Sequence, residues 1–140
     1  MKILRPQLGL RILAALLLCS TPAAQDHIRA VVPAQAGVLT NRFYSPGVDA
    51  GDYIYVSGQG PRKPDGSLPN NFHDQVRQVL DNLQTIVKSD GLTMDHVVYM
   101  QLYLEDMAKY DELKKAISEY FGKSQPAQAV LGVAHFRLVA

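Results

Sequence analysis

Residues 71–106 read NFHDQVRQVLDNLQTIVKSDGLTMDHVVYMQLYLED, and two different periods are written into them. Phe72, Val76, Val79, Leu80, Leu83, Ile86 and Val87 recur at helical spacing and place one apolar stripe on an amphipathic helix. Asn70 or Asn71 can cap its start. Asp74 falls in the first turn, where a negative charge meets the positive end of the helix dipole. Gly91 is the expected stop. Thr93 to His96 makes a short turn, and Val97 to Leu104, β-branched or aromatic at many positions, reads as a buried strand. A helix running at once into a buried strand implies a helix laid on a sheet.

Working outward, the pattern repeats downstream. Asp106 can cap a second helix with Tyr110, Leu113, Ile117, Tyr120 and Phe121 on one face, and Gly122 closes it. Ala129 to Phe136 is the last strand. Upstream, Asp26 to Gln35 is an exposed lead-in with a short strand around Ile28 to Val32, and Gly37 to Asn41 is a loop. Ser45 to Ala50 and Tyr53 to Gln59 are two β-prone runs separated by the turn signal Gly51-Asp52. Gly58 and Gly60 end the second run and let backbone approach a neighbour closely. Arg62 to Pro69 contains Pro64-Asp65-Gly66-Ser67, where proline presets φ and glycine supplies φ > 0. The order β-β-β-α-β-α-β predicts an α+β fold with both helices on one sheet face. No internal repeat or low-complexity stretch interrupts it.

The chain has 140 residues, 47% of them apolar and 19% charged, which suits one globular domain. Its first two dozen residues differ from the rest. Lys2, Arg5 and Arg11 precede the apolar run Ile12 to Leu18, and Ser20, Thr21, Ala23 and Ala24 follow. This is the pattern of a secretory signal peptide over residues 1–24, with the domain at 25–140 and cleavage at Ala23 or Ala24. The apolar run is too short to span a bilayer of ~30 Å as a helix. A misassigned start or an uncleaved anchor is the other reading of the same residues. Leu16-Leu17-Leu18-Cys19 has a faint lipoprotein character, but leucine directly before the cysteine is wrong for it. Cleavage would remove three of the 14 basic residues and none of the 13 acidic ones, leaving a net charge of −2. That balance gives no electrostatic support to nucleic-acid binding. Cys19, the one cysteine, would leave too, which suits an oxidising compartment.

Most site chemistries are absent. His27, His73, His96 and His135 show no metal-ligand spacing. Ser57 has no local triad signal. Gly58-Gln59-Gly60 opens no helix and is not a dinucleotide fingerprint.

Three segments carry a resemblance: Phe43-Tyr44-Ser45-Pro46, Tyr55-Val56-Ser57-Gly58-Gln59 and Gln125-Pro126-Ala127-Gln128-Ala129-Val130. In order and spacing, with the helix-strand-helix between them, they resemble the RidA (YjgF-type) reactive-intermediate deaminase family. The resemblance runs from Phe43 to about Phe136. It implies a homotrimer whose sheets line a central barrel, whose helices face outward, and whose pockets lie between subunits, with no cofactor and no metal. Its chemistry is hydrolysis of 2-imino or 2-enamino acids to 2-keto acids and ammonia.

Carried over residue by residue, Tyr44 matches the tyrosine beside the pocket, although a core aromatic would read the same. Ser57 and Gly58 match the end of the pocket strand, where an ordinary strand-end turn is the plainer reading. Ala127 and Gln128 fall on a Pro-Ala-Arg motif, so Gln128 stands where the family has the arginine that grips the substrate carboxylate. Glutamine is neutral and brings one NH₂ group in place of a charged fork. The family's final strand also carries a glutamate that positions water, and no acid follows Glu119 here. Lys114 stands where members often have an asparagine. It is either a solvated helix lysine or a replacement cation for a neighbour's pocket. The expected ligand is a small polar metabolite in a periplasmic or secreted protein, with no membrane association after leader cleavage. The expected function is binding without the standard deaminase activity. The alternatives are a hydrolytic imine or enamine deaminase acting on a non-standard substrate and, more weakly, the ribonuclease activity also attributed to the family.

Overall fold

Asn71 settles where the first long helix begins. Its side-chain oxygen accepts from the Asp74 N–H at 2.8 Å, and its amide donates back to the Asp74 carboxylate at 2.7 Å. An N-cap of this kind stabilises a helix by about 1 kcal/mol. The computed structural model describes residues 28–34 and 44–135. The leader at 1–24, the loop at 37–41 and the end of the last predicted strand at Phe136 lie outside those residues.

The elements are β1 (Arg29–Val31), β2 (Gly47–Asp49), β3 (Ile54–Val56), α1 (Phe72–Ser89), β4 (Tyr99–Leu104), α2 (Tyr110–Phe121) and β5 (Ala127–Gly132). This is the predicted α+β order. Short 3-10 turns at Met94–His96 and Met107–Lys109 precede β4 and α2. Asp106 caps the second of these turns, accepting from the Ala108 N–H, and so starts α2 indirectly. Gly91, with φ +76°, follows the end of α1 in a conformation that a side chain would strain.

The strands form two sheets among the described residues. β1-β2-β3 is antiparallel, and β4-β5 is parallel. The last strand was predicted from Ala129, but it begins at Ala127. The reason is the ladder: the Ala127 N–H donates to the Val98 carbonyl at 3.0 Å, directly after Pro126, which has no N–H to offer. Ala127 and Gln128 are therefore strand residues, and the strand ends at Gly132.

Both helices bury their stripes against the same side of β4. Val76 and Leu80 from α1 meet Met100 and Leu104 from β4 and Leu113, Ala116, Ile117 and Phe121 from α2. Alternation in β4 leaves Tyr99, Gln101 and Tyr103 exposed on the opposite side. Further along α1, Ile86 packs over the other sheet. A methyl group on Gly47 would stand 3.1 Å from Ile86 and 3.3 Å from Val31, so glycine permits that approach. Arg29 then ties β1 down through ion pairs with Asp49 and with Asp90 at the end of α1. α1 is thus the element shared by both sheets.

Candidate functional site

The end of β3 is held by several backbone and side-chain bonds. The Ser57 N–H donates to the Pro46 carbonyl at 2.9 Å, and its hydroxyl donates to the Ser45 carbonyl at 2.6 Å. These two bonds place the Tyr44–Pro46 segment beside Ser57 and Gly58. Tyr44 is exposed rather than a core aromatic. A methyl group built on Gly58 would meet nothing within 4 Å, so the backbone there borders open space.

The carbonyls of this segment are occupied. The Gln59 amide donates to the Ser57 carbonyl at 2.9 Å and to the Gly58 carbonyl at 3.2 Å. From below, Asn82 of α1 donates to the Gly60 and Arg62 carbonyls, each at 2.9 Å. Gln78, one turn earlier, donates to the Asn82 oxygen at 2.8 Å. The Arg62 guanidinium reaches on to the Gly66 carbonyl at 2.8 Å. Sequence reading missed Asn82. Its signal was available: it falls three residues after Val79 and four before Ile86, so it is a polar residue at the angle of an apolar stripe.

Ala127 and Gln128 lie on the other sheet. In the parallel register Ala127 is opposite Tyr99 and Gln128 is opposite Met100. Both are exposed, whereas Pro126 before them is buried. No hydrogen bond or ion pair among the described residues joins Gln128 to Tyr44, Ser57 or Gly58. The chain therefore carries these residues as two groups on separate sheets. Lys114 stands on the exposed side of α2, with its amine 3.6 Å from the Asp111 carboxylate and 5.6 Å from the centre of the Tyr110 ring. It makes no ion pair or hydrogen bond with Gln128 among the described residues.

Other features lie away from both groups. A hollow of about 370 Å³ sits at the start of α1 between Lys63, Asn70, Asp74, Arg77 and Asp81. It contains none of the motif residues, and its open rim of opposed surface charges gives it no defined ligand preference. No cluster of metal-ligating side chains occurs among the described residues. No described helix is long and apolar enough to cross a membrane. Tyr120 donates to the Asp81 carboxylate at 3.2 Å, and burial, with that carboxylate's charge, pushes its phenol up to about 12. This links the two helices and faces neither motif group.

Comparison with known proteins places these features in a common frame. The family profile described as Endoribonuclease L-PSP matches residues 35–139. A RutC family protein of Pyrococcus horikoshii is 32% identical over 93 residues, covering 65% of this chain and 74% of that protein. The crystal structure of the YjgF gene product from E. coli superimposes with a TM-score of 0.73 at 26% identity, covering 79% of this chain and 89% of that one. The E. coli protein TdcF, solved with bound serine, gives a TM-score of 0.71 at 25% identity over 79% of this chain and 90% of its own.

Proposed function

The chain belongs to the Endoribonuclease L-PSP family, and on that premise we propose a RidA-type protein whose pocket takes a small polar metabolite without turning over the usual 2-imino acids. The observation that carries this reading is Gln128, an exposed, uncharged side chain on β5 where the family motif has arginine. Replacing a charged hydrogen bond by a neutral one forfeits about 1–2 kcal/mol, roughly five- to thirtyfold in binding. Losing the two-pronged grip of a guanidinium adds to this. Serine bound to TdcF supports a ligand of amino-acid size.

The pocket forms between subunits of a homotrimer. Two observations support assembly. The two groups lie on separate sheets, and among the described residues the side of the strands away from the helices exposes Tyr53, Tyr55 and Tyr99. Tyrosine supplies large contact area at little entropic cost, which suits a surface that becomes buried. Native mass spectrometry should give a trimer, and a monomer at micromolar concentration would refute it. Residues 1–24 direct the protein to the periplasm or outside the cell, and N-terminal sequencing of the natural protein tests this.

A second reading keeps hydrolysis of an imine or enamine that lacks the carboxylate. It is favoured by Ser57, whose N–H and hydroxyl fasten the Tyr44–Pro46 segment beside Gly58. Calorimetry with L-serine and L-serinamide distinguishes a carboxylate site from a neutral one, and ammonia release from neutral imines distinguishes binding from turnover.

A further inference from the structure

Asn82 is the buried polar side chain among the described residues, 5% exposed in the middle of the apolar stripe of α1. An apolar residue would fill that place without the cost of desolvating an amide. The amide is fully used instead. Its two N–H groups end on the carbonyls of Gly60 and Arg62, and its oxygen receives the Gln78 amide. Those three partners also fix its orientation. Turned over, it would set its oxygen against two carbonyl oxygens and its NH₂ against the Gln78 NH₂.

We infer that Asn82 is a positioning residue of the pocket: it holds the Gly60–Arg62 backbone on α1 and thereby sets where Ser57 and Gly58 meet a ligand. The inference rests on the ligand-binding reading above. Gln59 works from the other side on the Ser57 and Gly58 carbonyls. Four carbonyls between residues 57 and 62 are thus taken by two side-chain amides. A segment whose carbonyls are occupied repels the oxygen of a bound carbonyl or carboxylate less than a bare loop would.

The test uses the full mature protein carrying Asn82→Asp, which keeps shape and volume but turns oxygen toward the two carbonyls. Hydrogen exchange should accelerate by about tenfold or more at residues 58–63 while β4 keeps its protection. Affinity for L-serine or L-serinamide, whichever the unsubstituted protein binds more tightly, should fall about tenfold. Gln78→Ala should move both readouts the same way by less, and it decides the matter if Asn82→Asp does not fold. Unchanged exchange at 58–63 would overturn the inference. So would faster exchange with unchanged affinity, since Asn82 would then be structural only. If the unsubstituted protein binds neither probe, the ligand reading fails. The exchange pattern then judges the clamp alone: acceleration confined to 58–63 sustains it, and acceleration spread across β4 rejects it.

Discussion

Ser57 and Gln128 both belong to the proposed pocket, yet the molecule anchors them differently. Ser57 is fastened by its own N–H and hydroxyl to residues 45 and 46, and its carbonyl is held by Gln59. Gln128 has its backbone in the β4-β5 ladder, and its side chain makes no hydrogen bond among the described residues. One half of the candidate pocket is therefore organised by the chain's own bonds. The other half depends on what a single exposed side chain meets when a ligand arrives. Preorganised groups contribute to affinity because their ordering cost is met during folding. An exposed glutamine must be ordered at the moment of binding, and it brings no charge to offset that cost.

The bluntest way to break this contrast is Leu80→Ala. Leu80 is 2% exposed and lies in the helix layer that supports both halves. Truncation should cost about 2–5 kcal/mol in denaturant unfolding and loosen both halves together. A loss confined to one half would show that α1 is not the shared support. Gln128→Arg should sharpen the contrast. It should tighten binding of small carboxylates by roughly five- to thirtyfold, about 1–2 kcal/mol, with little change in stability at an exposed position. Titration calorimetry on the two proteins gives the ratio. Ser57→Ala should be smaller. Losing one bond to the Ser45 carbonyl costs about 1 kcal/mol of stability, and exchange should quicken around residues 44–46 and leave β5 unaffected.

The smallest effect concerns neither half. Neutral Tyr120 bonds to Asp81, and its folded pKa of about 12 lies above the value near ~10 of an unfolded tyrosine. A raised folded pKa means the contribution is fully present below pH ~10 and is lost as pH rises through about 12. Melting temperature should therefore fall more steeply across that window in the unsubstituted protein than in Tyr120→Phe. Identical pH profiles would remove Tyr120 from the account.

Much of the fold was legible because local signals agreed with one another. Asn71 and Gly91 bracket α1, Asp106 and Gly122 bracket the second helical segment, and the apolar spacing finds most of the buried helix residues, although Tyr110 at the start of α2 is exposed and the small Ala116 is buried in its stead. The start of β5 was misplaced because Pro126-Ala127-Gln128 has weak strand propensity. Its parallel pairing with β4 is a long-range term that no local window contains. The split into two sheets was hidden for the same reason. Tyr44, Ser57 and Gly58 were found through motif order, and the bonds that bring them together could not be read from spacing. Asn82 was overlooked because an amphipathic pattern is scanned for what it contains. One amide on an apolar stripe acquires meaning only when the carbonyls of Gly60 and Arg62 come within reach.

Gln128 bears the weight of the account, and one assay addresses it directly. 2-Iminopropanoate is generated in situ from an amino acid and an oxidase, and ammonia release is timed with the mature protein, with Gln128→Arg and with buffer. With Gln128 in place, ammonia release should not exceed the buffer rate. Ammonia release well above the buffer rate with Gln128 in place would contradict it.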